Sequence, residues 1–181
     1  MAIHNLLLLV RAYLAEPSAL KKRCPHPVLV WEPPTRQPGH IETTDVSGLE
    51  SNLAKGEPVA IEIVKGLVPN AFPFGVTIGH AENNDVVLHH HQVSRFHAYF
   101  QESNRKRFLV DANSRNGTWV GEEKLIPSKA FVLPSRATLR FGKLVVTFLE
   151  PDQLGTFLDE RMKSDPPGSD DLSGSGSGPP A

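Results

Sequence analysis

The chain has 181 residues, 39% of them hydrophobic and 22% charged, with a formal net charge of −1. This is the composition of one folded domain with appendages, and its near-neutral balance argues against a nucleic-acid binder that works by bulk charge. A single cysteine, Cys24, leaves no internal disulfide and fits a reducing, cytoplasmic setting.

Residues 3–15 place Ile3, Leu6, Leu7, Val10 and Leu14 at helical spacing, with Leu8, Leu9 and Tyr13 widening the stripe. That pattern predicts a helix that packs on the rest of the protein or on a partner, because so wide an apolar face invites association when left bare. Its leucine run is far shorter than the roughly 18 apolar residues of a membrane span. No basic segment precedes it, as a signal peptide would require. Pro17 ends the helix, and Ser18 starts a short turn through Lys22. Pro25, Pro27, Pro33, Pro34 and Pro38 punctuate residues 25–41, where only Val28–Trp31 has the look of a strand. Residues 35–57 are polar and turn-rich and read as linker, so 1–57 is taken as an N-terminal helix plus a proline-rich connection.

From residue 58 the texture changes. Short β-like runs at about 58–64, 74–79, 85–88, 97–101, 107–111, 117–120, 131–133, 137–141 and 144–150 are separated by Asn, Gly, Ser and Pro. Many short strands without helical patterns between them predict an all-β fold, an antiparallel sandwich or barrel, over 58–151. A short helix is expected over 152–163, with Asp152 able to cap it. Residues 164–181 hold too little apolar surface to offset ordering entropy and are expected to be disordered.

Two polar, arginine-bearing clusters interrupt these strands: Ser94-Arg95-Phe96-His97, and Ser114-Arg115-Asn116-Gly117-Thr118. They fall in a series that begins with Thr77-Ile78-Gly79-His80 and ends with Leu139-Arg140-Phe141-Gly142. This ordered series resembles the forkhead-associated (FHA) domain. The resemblance implies a β-sandwich that binds phosphothreonine peptides through loops at one end. It also implies a role in Ser/Thr-kinase signalling or assembly, with a phosphothreonine-containing protein, a kinase or its substrate, as partner.

The chemistry fits that resemblance. A phosphate dianion needs converging hydrogen-bond donors and positive charge. By the resemblance Ser94 donates to the phosphate, His97 supports the serine loop from behind, and Asn116 contacts the peptide backbone. Gly117 permits a turn with positive φ, and Thr118 re-enters the sheet. One position departs from the family: Gly79 is followed by His80, where relatives carry arginine. Arginine offers a planar fork of donors at any physiological pH, whereas His80 is charged only when protonated. Arg95 and Arg115 are the candidate substitutes. The same departure keeps a second reading open, a degenerate scaffold that binds an unphosphorylated protein partner.

His80, His89, His90, His91 and His97 suggest a metal site, but three consecutive residues point in alternating directions and no carboxylate completes a zinc set. No nucleophile and base are paired for covalent catalysis. The expectation is therefore a binding module, with no enzyme activity, cofactor or metal. Thr43, Thr44 and Thr156 are the candidate sites for a tethered phosphothreonine that occupies the pocket of the chain itself or of a neighbour.

Overall fold

A computed structural model of the chain describes residues 2–33, 57–66, 70 and 72–164. Most of the expected linker, with Thr43 and Thr44, and residues 165–181 of the expected tail lie outside the described residues.

The architecture is two packed β-sheets with few helices. One sheet has seven strands in the order β1 (Ile3–Asn5), β3 (Val59–Glu62), β2 (Val28–Trp31), β12 (Leu144–Leu149), β11 (Arg136–Phe141), β8 (Thr118–Val120) and β9 (Glu123–Lys124). The other has five, β10 (Phe131–Val132), β7 (Lys106–Asp111), β6 (Ala98–Ser103), β4 (Val76–Gly79) and β5 (Val86–Val87). Every described pairing is antiparallel except β4 with β5, where Ile78 faces Val86 and Gly79 faces Val87 in parallel register.

Strand alternation builds the core. Leu29, Ile61, Ile78, Phe100, Leu109, Leu139, Phe141, Val146 and Phe148 point between the sheets and are essentially shut off from solvent. Phe100 and Phe148 stack across the sandwich at 5.8 Å. The strand β2 is buried along its whole length. Leu29 and Trp31 enter this core, while Val28 and Val30 face the other way into a second apolar cluster. A strand covered on both faces reads as an unbroken hydrophobic run, which is why "VLVW" shows no polar alternation.

Three helices supply that second cover. Leu6, Leu9 and Val10 of α1 (Leu6–Ala15), Leu20 of α2 (Leu20–Arg23), and Leu154, Phe157 and Leu158 of α3 (Gln153–Ser164) pack on Val28, Val30, Ala60 and Leu149. Asn5 caps α1, its side-chain oxygen accepting from Leu7 N (3.0 Å) and Leu8 N (3.2 Å). The helix therefore starts later than the expected residue 3, because Ile3–Asn5 pairs with Val59–Ile61 as an edge strand. Its stripe is also narrower than expected: the i, i+3, i+4 set is buried, while Leu7, Leu8 and Leu14 stay exposed. The side chain of Asp152, beside α3, contacts the Gln153 side chain at 3.3 Å. Thr156 lies inside α3, where the helix would have to unwind to present it as an extended peptide.

Candidate functional site

The topology gathers the motif residues at one end of the sandwich. Strand β4 leads into the loop that carries His80, and its neighbour β6 runs antiparallel, so the segment entering β6 (Ser94–His97) lies at the same end. The strand β7 leaves toward that end in turn and delivers Ser114–Gly117. The turn between β11 and β12 joins them, with Gly142 N donating to Gly117 O at 3.0 Å.

Backbone hydrogen bonds lace the loops together. His80 N donates to Ser94 O (3.0 Å), and Ala81 N to Arg95 O (3.2 Å). The Asn84 amide reinforces this seam by donating to Arg95 O (2.6 Å) and Ala81 O (2.7 Å). Gly79 has to be glycine here, because an added Cβ would lie 2.1 Å from Arg95 O, a backbone atom that cannot swing away. The next loop is tied by Ser94 itself, whose Oγ accepts from Arg115 N at 3.0 Å. Asn116 donates its side-chain amide to Gln92 O at 2.8 Å. Gly117 adopts φ +80, and any Cβ there would also press on Lys124 and Trp119. Trp119 is in turn covered by the Arg140 guanidinium, 3.7 Å from the ring centroid.

His97 sits at the centre of this lacework, fully buried. Its Nδ1 accepts from Ser94 N (2.9 Å), which puts the ring proton on Nε2, where it faces Gly117 O at 3.1 Å. The imidazole thus clamps both motif loops. Phe141 meets its ring edge-on at 5.5 Å. Burial pushes the His97 pKa below the usual histidine value, against smaller opposing effects from Gly117 O and Asp111. The clamp is therefore the neutral ring. Thr118 is buried too, with its hydroxyl donating to Asp111, which also accepts from Ser114 Oγ (2.6 Å) and Ser114 N (3.1 Å).

His80, Arg95 and Arg115 are exposed, while Ser94 and Asn116 are half-buried. The first loop is braced by a network that the motif residues do not reveal. Buried Asp85 accepts from Thr77 N (2.8 Å), Thr77 Oγ1 (2.9 Å), Lys65 Nζ (2.9 Å) and Gly66 N (2.8 Å). Burial alone would raise the Asp85 pKa, but these donors together lower it to about 2. Lys65, Gln92 and Gly142 support the site without belonging to either arginine-bearing cluster. Their common signal is a backbone or side-chain bond to a residue of a loop from a distant part of the chain, which spacing does not report. Among the described residues, His80, His89, His90, His91 and His97 do not bring three ligand atoms together.

The model of the FHA domain family matches residues 76–142. Among solved structures, the chain is similar to an FHA domain described for phosphothreonine-dependent interactions (21% identity, 50% of this chain and 82% of that one, TM-score 0.41). It is similar to Mycobacterium tuberculosis EmbR in complex with a low-affinity phosphopeptide (24% identity, 54% of this chain and 23% of that one, TM-score 0.41). A further similarity is to the FHA domain of a Chlamydia trachomatis protein (18% identity, 50% and 84%, TM-score 0.41). No curated protein matches the chain. The matched stretch opens with β4 and closes at Gly142 in the β11–β12 turn, so it contains all three loops just described, and residues 76–142 of this chain are an FHA domain.

Proposed function

We propose that this FHA domain is a phosphothreonine-dependent protein-binding module. The observation that carries the reading is the bond from Arg115 N to Ser94 Oγ. A hydroxyl has one donor hydrogen and two acceptor lone pairs, so a serine that accepts from Arg115 N keeps its own O–H to donate outward. Ser94 is thereby held by its neighbours with its donor unspent, as a phosphate ligand should be. Exposed Arg95 and Arg115 supply positive charge beside it, and His80 adds a further donor. Asn116 spends one amide hydrogen on Gln92 O. Its remaining amide hydrogen and carbonyl can pair with the backbone of an extended peptide. Gly79, His97, Gly117 and Thr118 hold the loops in place and do not touch the ligand.

The partner is then a protein that carries phosphothreonine, a Ser/Thr kinase or a kinase substrate. The competing reading, a scaffold for an unphosphorylated partner, is favoured by one feature, His80 in place of the family's arginine. A library of phosphothreonine peptides screened beside its unphosphorylated twin separates the two. Binding confined to the phosphorylated set supports the proposal. Equal binding to both sets, lost in Asn116→Ala, supports the scaffold.

A further inference from the structure

Far from the peptide loops, a second cluster of reactive side chains forms where the N-terminal segment meets the seven-stranded sheet. His4 comes from β1, Glu62 from β3 and Cys24 from the residue that closes α2. A ring nitrogen of His4, the Cys24 sulfur and a Glu62 carboxylate oxygen all lie within 4.8 Å of one another. His4 Nε2 is 2.7 Å from Glu62 Oε1. Cys24 is 1% exposed and Glu62 5% exposed, whereas the His4 side chain keeps 26% of its surface open to solvent. Among the described residues no other group of three His, Cys, Asp or Glu side chains converges this way.

Glu62 is out of place by the logic of the sheet. The alternation along β3 sends Val59 and Ile61 into the sandwich and Ala60 into the helix-covered cluster. Glu62 is on the same face as Ala60, next to Cys24, where an apolar residue would pack more cheaply. A buried carboxylate needs a compensating partner, and the described contact is a single one, to the His4 ring.

We propose that His4, Cys24 and Glu62 form a site for a divalent transition ion, zinc by preference, with one coordination position left to water through the open side of His4. The donor set selects the ion. A thiolate, an imidazole and a carboxylate suit zinc and cobalt, while magnesium and calcium require oxygen ligands throughout. Tetrahedral zinc bonds of about 2.0–2.3 Å place ligand atoms about 3.3–3.7 Å apart, so small side-chain rotations close the trio around the ion. Thiolate and carboxylate charges together balance the ion's two positive charges, which removes the cost of burying Glu62. Binding displaces the Cys24 proton to solvent, so uptake strengthens as pH rises. Burial and the neighbouring Glu62 push the free thiol up to about 11, which makes that dependence extend well above neutral pH. The ion would pin β1 and α2 to β3 and so tie the N-terminal segment to the sandwich.

The test is titration of the reduced, metal-free full chain with zinc and, separately, with cobalt. The expected result is one ion per chain, a thiolate-to-cobalt charge-transfer absorption, and a higher melting temperature with the ion bound. Cys24→Ser should abolish the charge-transfer band. His4→Ala and Glu62→Gln should each weaken binding by about tenfold or more, since loss of even an outer-shell partner of a metal costs that much. His89→Ala with His91→Ala should leave binding unchanged. No saturable binding, or a bound cobalt ion without the charge-transfer band in the wild-type chain, would overturn the proposal. So would tight binding that survives Cys24→Ser and disappears in the His89 and His91 variant. The wild-type cobalt spectrum decides even where a variant fails to fold.

Discussion

If the loops bind phosphate as proposed, His80 is the residue on which the strength of that binding turns. Its backbone is fixed by the bond from His80 N to Ser94 O, so its exposed side chain starts from the edge of the serine loop. An arginine there would stay charged at every physiological pH and reach two phosphate oxygens at once. A charge-assisted hydrogen bond contributes about 1.5–3 kcal/mol, so His80→Arg should tighten phosphopeptide binding by about ten- to a hundredfold at pH 8, read by fluorescence anisotropy. Ser94→Ala should weaken binding in either background. Unchanged affinity in both variants would mean that phosphate is not what the loops read. His97 makes a separate prediction about stability. Its folded pKa is depressed, so its contribution is complete above the ordinary histidine pKa of about 6.5 and is lost as pH falls through the lowered value. Thermal unfolding between pH 8 and 5 should show that loss in the wild type and a flatter profile in His97→Asn, at lower stability throughout. A wild-type profile that rises toward pH 5 would contradict the neutral clamp.

At the scale of elements, the strands were legible because their alternation is local. The runs at 97–101, 107–111, 137–141 and 144–150 all fall largely within strands, and β6, β11 and β12 alternate over most of their length between a buried and a more exposed face. The motif residues were legible for a related reason: fixed spacing along the chain becomes fixed placement at one end of a rigid sandwich. What spacing does not encode is pairing between distant segments. The edge strand β1 exists only because Ile3–Asn5 meets Val59–Ile61, and to local periodicity it looked like the start of a helix. The parallel pairing of β5, two residues long, and the Lys65–Asp85 bond beneath it were invisible for the same reason. The seam between β4 and the serine loop gives the sharpest test at this scale. Gly79→Ala drives a methyl group against Arg95 O, and overpacking of this kind costs about 1–3 kcal/mol. It should lower the midpoint of urea unfolding and weaken peptide binding together. A stable Gly79→Ala protein with full affinity would show that the two loops are free to separate.

Across the whole molecule, the sheet draws strands from both sides of residue 57. Strand β2 stands between β3 and β12, and β1, α1 and α2 cover one face of the sheet beside α3. Deleting residues 1–56 removes a strand buried on both faces and exposes Val59, Ala60, Ile61 and Leu149. The truncated chain should be insoluble or lack a cooperative unfolding transition; a soluble, cooperatively folding 57–181 fragment would show that the FHA sandwich closes without β2. Because β2 and β12 are neighbours and β12 turns back at Gly142 beside Gly117, the N-terminal segment also braces the sheet that ends at the peptide loops. The central claim is that one end of this sandwich binds phosphothreonine through Ser94, Arg95, Arg115 and Asn116. The most direct measurement is a titration of the isotope-labelled full chain with a phosphothreonine peptide, followed by amide chemical shifts. Saturable shifts are expected at the amides of 79–84, 94–97 and 114–117, and none with the unphosphorylated peptide. Shifts centred on the opposite end of the sheets, or none at saturating phosphopeptide, would contradict it.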